Sequence, residues 1–146
     1  EKFLYVPAAG GRDVEEFLLS LIAERLDPSE RVDVYLALYE KYLREAESLY
    51  EKGNLAQAGE KYWGAVTALL NAIAEKRGMP RYSQRDYAVI IERLYQETKD
   101  KELLVGFRLA EGLHANFYHN FMGKESFELH REAVLGLVER LKRLLG

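Results

Sequence analysis

The stretch LHANFYHN, residues 113–120, concentrates side chains that could do chemistry. It places two of the chain's three histidines beside two aromatic rings and two asparagines. An imidazole can give or take a proton near neutral pH, and an aromatic ring can stack on a nucleobase. The question is therefore whether this stretch is a catalytic site, a ligand site or the polar end of an ordinary core helix.

Metal binding is the first chemistry that the histidines suggest. Two histidines on one helix hold the same metal when they are four residues apart. His114 and His119 are five apart, which is about 140° around a helix, and Glu111 adds only one further ligand. The chain has no cysteine to supply thiolates. We therefore predict no metal centre, and no other cofactor is indicated.

RNA cleavage is the second chemistry, and it would use Arg108 and His114. A neutral histidine can take the proton of a 2′-hydroxyl while an arginine holds the phosphate as charge builds. Six residues along one helix place the two about 120° apart, so they converge only if the helix frays at Gly112 or if two copies share a site. The alternative is that Arg108 forms a surface ion pair with Glu111, and that His114 is a partly buried, hydrogen-bonded helix residue. The spacing alone favours this alternative.

Nucleobase contact is the third chemistry. Tyr118 follows His114 by one helical turn, so the two share a face and could sandwich a base. Asn116 would add a polar contact. Leu113 and Phe117 are also four apart, and we expect both to pack into the core, with Asn116 turned to the polar side near the helix end.

The composition limits the class of protein. The chain of 146 residues is one domain in size, and its 48% apolar residues are enough for a sizeable core. No apolar run approaches the ~20 residues that span a bilayer, and the start EKFLYVPAAGGRD is too polar for a signal peptide. We therefore expect a cytoplasmic protein with no membrane partner. The net charge of −3 argues against a protein that coats nucleic acid through bulk charge, although a local basic patch is compatible with it.

Helix-capping residues divide the chain into six predicted helices. The predicted N-caps of the first five are Asp13, Asp27, Asn54, Ser83 and Asp100, and Gly53, Gly78 and Gly123 mark helix ends. Apolar residues recur at three- and four-residue spacing between these signals. The sequence therefore predicts an all-α fold of five to six helices, in one domain from 13 to 146 that follows an N-terminal extension, 1–12.

Short connections join antiparallel neighbours, so we predict an antiparallel up-and-down bundle. The alternation would place the turn after the third predicted helix and the turn after the fifth at one pole. The first turn holds a basic segment, 76–85, with no acid in it. Arg81 and Arg85 would then be phosphate anchors near His119, and Gly53 would lie at the opposite pole.

Two stretches carry a family resemblance. DPSERVDVYLALYEKYLREAESLYEKGNLAQAGEKYWGAVTALLNAIAEKRGMP, followed later by LHANFYHN, resembles the archaeal PaREP family of heat-loving archaea. The resemblance runs from about Val14 to the end of the chain, and its most specific parts are LYEKGNLAQAGEKYWGAV and LHANFY. This family looks like a branch of the HEPN superfamily (higher eukaryotes and prokaryotes nucleotide-binding).

The resemblance implies both a fold and a function. HEPN domains are antiparallel helical bundles that often pair as dimers, and many are metal-independent ribonucleases of toxin–antitoxin and defence systems. Their motif is an arginine, four to six residues and a histidine, which Arg108 and His114 match. Leu109 departs from the motif, because active members usually carry a polar residue there. Arg108 also lies in the middle of its predicted helix, whereas the family's catalytic pair generally opens one.

Together these observations predict a HEPN-like nucleotide- or RNA-binding protein, either a metal-independent ribonuclease or an inactive relative of one. The alternative is a non-enzymatic interaction module that forms a homodimer or binds a helix of a partner protein. Ten tyrosines exceed what a small core readily buries, since each hydroxyl needs a partner, so we expect a homodimer. Salt-dependent binding of labelled RNA would separate the two functions.

Overall fold

The computed structural model describes residues 25–79 and 85–146, together with 18, 21 and 22. Within these residues all regular structure is helical, which confirms the predicted all-α bundle. The five helices are α1 Pro28–Glu51, α2 Leu55–Lys76, α3 Arg85–Thr98, α4 Lys101–His119 and α5 Lys124–Leu145. The predicted N-terminal extension, the N-caps Asp13 and Ser83, and Arg81 lie outside the described residues.

The first described helix begins as its sequence predicts. Asp27 accepts a hydrogen bond from the Glu30 backbone N–H at 2.9 Å, and the Glu30 carboxylate accepts one from the Asp27 N–H at 3.0 Å. Pro28 occupies the first turn, where no amide hydrogen is needed. Gly53 follows α1 with a φ of +82°, as a left-handed helix end requires.

The end of α4 differs from the prediction that Gly123 would close it. Asn120 closes it instead, with a φ of +48°, and Gly123 is the N-cap of α5 with a φ of −77°. The Oδ1 atom of Asn116 accepts hydrogen bonds from the backbone N–H groups of Phe121 and Met122, both at 2.8 Å. Asparagine tolerates the left-handed region, so this pair of bonds ends the helix three residues before the glycine.

The central helix is α2, which packs against all four other helices. It is buried on nearly all sides, as a helix with apolar residues around its circumference must be. Tyr62, Leu69 and Leu70 are completely buried. Glycines allow its neighbours to approach closely: a Cβ atom at Gly59 would lie 3.3 Å from the Cβ of Leu113 on α4.

Contacts at the helix ends give the direction of each helix. Arg31 at the start of α1 pairs with Glu75 at the end of α2 at 2.9 Å, so these helices are antiparallel. His114 near the end of α4 contacts Glu60 near the start of α2, so they are antiparallel too. The Lys76 ammonium donates to the carbonyl of Leu145, which makes α5 run parallel to α2.

The alternation breaks between α2 and α3. Tyr87 in the first turn of α3 lies edge-on to Trp63, with ring centroids 6.2 Å apart. Glu97 in the last turn of α3 pairs with Arg77, just beyond the end of α2, at 2.6 Å. Both helices therefore run in the same general direction. The connection of residues 77–84 is long enough for this, because eight extended residues span up to ~28 Å.

The prediction that the turns after α2 and after α4 lie at the same end of the bundle is therefore wrong. The turn after α4 lies at the same end of the bundle as Gly53, because the Phe127 ring just after that turn stacks on Tyr50, with centroids 6.2 Å apart. Lys76 and Arg77 lie at the opposite end. The connection after α2 is not the simple reversal on which that prediction depended.

Candidate functional site

The end of α4 carries the LHANFYHN stretch. Only some of its side chains point into the core or toward solvent as predicted. Leu113 is fully buried, but the next inward side chain is Asn116, which is 2% exposed. Phe117 is half-buried instead, and its ring meets the Tyr118 ring at 5.1 Å. The expected core position of Phe117 and polar-facing position of Asn116 are therefore wrong. The amide must lie beneath the following turn to bond its backbone N–H groups.

His114 is held by a carboxylate from another helix. Its Nδ1 lies 2.8 Å from Oε1 of Glu60, and the two side chains are 22% and 17% exposed. An ionised carboxylate can only accept a hydrogen bond, so Nδ1 carries the hydrogen of this pair. In a neutral imidazole the other nitrogen, Nε2, is then an acceptor and can take a proton.

The Trp63 ring packs against one face of the same imidazole. The two rings are stacked, with centroids 5.1 Å apart and 22° between their planes. Trp63 follows Glu60 by three residues on α2, so both side chains project from one side of that helix. Trp63 is itself 6% exposed and meets the Phe107 ring at 5.8 Å. The imidazole is thus fixed in position and in tautomer.

Tyr118 forms the exposed edge of this cluster. Its ring meets the His114 ring at 90°, with centroids 5.3 Å apart, and it is 50% exposed. Partial burial raises the pKa of the Tyr118 hydroxyl, and the negative charge of Glu60 raises it further. The predicted sharing of a face by His114 and Tyr118 is confirmed, and the phenol lies within electrostatic reach of the carboxylate. We call Glu60, Trp63, His114 and Tyr118 the His114 cluster.

Arg108 does not join the His114 cluster. Its side chain is 70% exposed, and Nη1 lies 2.8 Å from Oε1 of Glu111. The ion pair to Glu111 and the half-buried, hydrogen-bonded His114 are the arrangement that the alternative interpretation of the spacing predicted. In this conformation Arg108 and His114 are bonded to different carboxylates.

Residues 34–138 match the family model for the archaeal PaREP1/PaREP8 family. The chain belongs to this family. No curated protein and no solved structure matches it. The matched range contains every residue of the His114 cluster, and Arg108 as well.

Two members of the cluster were missed by sequence reasoning. Glu60 and Trp63 lie in the LYEKGNLAQAGEKYWGAV stretch of this PaREP1/PaREP8 protein, about 50 residues before His114. Trp63 is the single tryptophan of the chain. Glu60 is a charged residue on the helix that supplies the centre of the core. A carboxylate one turn before a lone tryptophan was the available signal.

The two predicted phosphate anchors differ in what the structure says of them. Arg81 lies outside the described residues, and of Arg85 only the backbone is described, as the first residue of α3. Tyr87, two residues later, contacts the same Trp63 ring on which His114 stacks. The N-terminus of α3 therefore lies near the His114 cluster. The predicted alternation of helix directions, on which the expected proximity depended, was wrong.

Other features of this PaREP1/PaREP8 protein lie apart from the cluster. In the described part of the chain, no three histidine, aspartate or glutamate side chains come together to hold a metal ion, and no helix is long and apolar enough to cross a membrane. An open groove of about 570 Å³ between α1 and the end of α5 contains none of the predicted site residues. It is lined by Tyr39, Glu40, Leu43, Arg44, Glu47, Ser48, Glu51 and Lys142.

Proposed function

We propose that this PaREP1/PaREP8 protein is an RNA- or nucleotide-binding protein that stacks a nucleobase on Tyr118. The observation that carries the proposal is the fixed imidazole of His114 beside a half-exposed tyrosine ring. Stacking of one base on an aromatic side chain contributes about 1–3 kcal/mol. Because Glu60 and Trp63 already hold His114 in place, little side-chain entropy would be lost on binding.

The phosphates would be bound from the start of α3. The N-terminus of a helix favours anions, because its first backbone N–H groups have no partner within the helix. Arg85 is the first residue of α3, two positions before Tyr87, and Arg81 precedes it in the same basic segment. In this proposal Arg85 and Arg81 anchor the backbone of the ligand. Asn116 shapes the turn after α4 and does not touch the ligand, since its oxygen is already bonded twice.

Metal-independent RNA cleavage, as in HEPN proteins of toxin–antitoxin and defence systems, is the second candidate function. The bond to Glu60 favours it, because it leaves Nε2 of His114 as the nitrogen that can take a proton from a 2′-hydroxyl. Arg108 would have to leave Glu111 to hold the phosphate, or a second copy of the chain would have to supply it. That this protein is related to the HEPN superfamily is part of the same proposal.

The rival from another class is an interaction module that forms a homodimer or binds another protein. Phe121 and Leu129 favour it, because both are large apolar residues and both are 63% exposed near the turn between α4 and α5. The abundance of tyrosine does not favour it. Among the described residues, four tyrosines are buried within a single copy, namely Tyr35, Tyr39, Tyr42 and Tyr62.

The test is binding of a labelled single-stranded RNA at several salt concentrations. We expect saturable binding that weakens as salt rises, because phosphate contacts release counterions. Tyr118→Ala should weaken binding by about tenfold, the equivalent of ~1.4 kcal/mol of stacking. Tyr95→Ala is the matched control, because Tyr95 is a half-buried tyrosine of α3 that contacts Lys99. Absence of saturable binding, or equal effects of the two variants, would contradict the proposal.

A further inference from the structure

The hydrogen-bonding groups beside Tyr118 point to a particular base. Resting on the proposed function, we infer that the His114 cluster selects guanine, because the Glu60 carboxylate offers two acceptor oxygens to a base on Tyr118 and guanine presents two adjacent donors. These donors are the N1–H and the 2-amino group on the Watson–Crick edge. That edge is available for recognition only in an unpaired nucleotide, so the ligand class is single-stranded RNA or a free guanine nucleotide.

Glu60 supplies the main acceptor. A carboxylate has about four lone-pair sites on its two oxygens. The hydrogen from Nδ1 of His114 takes one of these sites, on Oε1. Among the described residues this histidine is the one hydrogen-bond partner of Glu60, so Oε2 keeps its accepting capacity. A carboxylate can accept from N1–H and the 2-amino group of guanine together, through two parallel bonds.

Tyr118 brings a base to that carboxylate. The His114 ring touches both groups, through Nδ1 to Glu60 and through the edge-to-face contact with Tyr118. The charge of Glu60 also contributes to the raised pKa of the Tyr118 hydroxyl. A base stacked on the exposed tyrosine ring would therefore direct its edge toward Glu60.

Two cations in the described part of the chain that could approach this acceptor are engaged elsewhere. Lys61, the next residue after Glu60, is paired with Glu45 at 3.0 Å. Arg108 is paired with Glu111 at 2.8 Å. The edges of adenine and cytosine each place an acceptor next to their amino group, and uracil flanks its single donor with two carbonyls. Each of these bases would bring a lone pair against the carboxylate, which disfavours binding.

The experiment uses the emission of Trp63, the single tryptophan, which lies against His114. The probes are GMP, AMP, CMP, UMP and IMP, with equilibrium dialysis as a second measurement. We expect GMP to bind about tenfold more tightly than the other three standard nucleotides, since a good bidentate pair discriminates by about 1–3 kcal/mol. IMP lacks the 2-amino group and should bind about as weakly as AMP.

The variant Glu60→Gln tests the carboxylate itself. Its amide oxygen can still accept from His114, but its amino group would face the donors of guanine. We expect the GMP preference to fall by about tenfold, with AMP binding changed much less. Glu97→Gln is the matched control and should leave the preference unchanged, because Glu97 lies in the last turn of α3, at the other end of the bundle, where it pairs with Arg77 at 2.6 Å.

Nucleotide binding and the preference for guanine can be contradicted separately. If no nucleotide and no RNA binds by either method, the proposed function is wrong. If nucleotides bind with equal affinity, or if Glu60→Gln keeps the preference for GMP, the guanine inference is wrong while the binding function stands. If Glu60→Gln does not fold, the comparison of GMP with IMP on the unaltered protein still decides.

Discussion

The imidazole of His114 lies nearly parallel to the indole of Trp63, with centroids 5.1 Å apart and 22° between the ring planes. The contact joins α4 to α2 at the point where Glu60 also reaches the imidazole. One face of the histidine is therefore covered by the core, while the exposed Tyr118 lies at its edge. The LHANFYHN stretch is therefore buried on one side, at Leu113 and Asn116, and exposed on the other, at Tyr118.

Replacement of Leu113 should destabilise the protein more than replacement of Phe117. Leu113 is completely buried against the Gly59 region of α2, so Leu113→Ala should cost about 2–5 kcal/mol of unfolding free energy. Phe117 is half-buried, and Phe117→Ala should cost less. Urea unfolding of both variants measures the difference, and a larger loss for Phe117→Ala would contradict the placement.

Replacement of His114 should separate function from stability. His114→Ala removes one hydrogen bond and two ring contacts from a position that is still partly exposed, so its loss of unfolding free energy should be about 1–2 kcal/mol. The same variant should abolish RNA binding or cleavage if the His114 cluster is the site. If His114→Ala loses as much unfolding free energy as Leu113→Ala and still binds RNA, His114 is a core residue.

Asn116 should be more important for stability than a polar helix-end residue usually is. Asn116→Ala removes the acceptor of two backbone N–H groups, those of Phe121 and Met122. Leaving such donors unsatisfied should cost about 1–3 kcal/mol. Asn71→Ala is the control, since it removes one side-chain bond, to Tyr87 at 3.2 Å. If the two variants lose the same unfolding free energy in denaturant, the two hydrogen bonds at the turn contribute no more than the single bond of Asn71.

The contrast between Gly53 and Gly123 shows what sequence can predict. The capping box at Asp27 and the left-handed Gly53 depend on residues within a few positions, so local chemistry determines them. Gly123 was expected to end α4, but Asn116 and Asn120 end it earlier, because a buried amide can bond the turn. A glycine marks where a helix can end, while the bond made by Asn116 decides where it does end.

The site itself depends on contacts that no local pattern encodes. Tyr118 and His114 could be predicted to share a face, because they are one turn apart on one helix. Glu60 and Trp63 could not be assigned to His114 without knowing that α4 runs antiparallel to α2. The direction of α3 could not be predicted from helix alternation either, since a connection of eight residues can either reverse a chain or return it along its neighbour.

Raised pH should destabilise the protein through Tyr62. Burial, with a further contribution from Glu47, raises the pKa of the Tyr62 hydroxyl from 10.0 to about 12, although Arg131 opposes the shift. Between these values the folded chain holds a proton that the unfolded chain has lost, so higher pH favours unfolding. The stabilisation is complete below about pH 10 and is lost as pH rises through about 12. A shift of this size corresponds to about 2–3 kcal/mol.

The variant Tyr62→Phe measures that contribution, because it removes the titrating group. The free energy of unfolding should fall less steeply between about pH 10 and 12 in Tyr62→Phe than in the unaltered protein. At neutral pH the variant should be less stable, since the Arg131 guanidinium loses the hydroxyl that accepts its Nε–H at 2.7 Å. Parallel pH profiles for the two proteins would show that Tyr62 does not titrate differently in the fold.

Two glycines on packed helices should respond oppositely to the same substitution. A Cβ atom at Gly106 of α4 would lie 2.9 Å from the Cβ of Leu137 on α5, whereas one at Gly136 would have no neighbour within 4 Å. Gly106→Ala should therefore push α4 and α5 apart and cost about 1–3 kcal/mol by overpacking. Gly136→Ala should stabilise α5 by up to about 1 kcal/mol, because alanine is the better helix former.

The pair isolates packing from helix propensity, since both variants gain the same methyl group within a helix. In thermal and denaturant unfolding, the free energy of unfolding should be lower for Gly106→Ala than for the unaltered protein and higher for Gly136→Ala. If both variants are stabilised, the close approach of α4 to α5 at Leu137 is not present in solution. Because α4 carries His114 at its far end, a displaced α4 should also weaken RNA binding in Gly106→Ala, while Gly136→Ala should leave RNA binding unchanged.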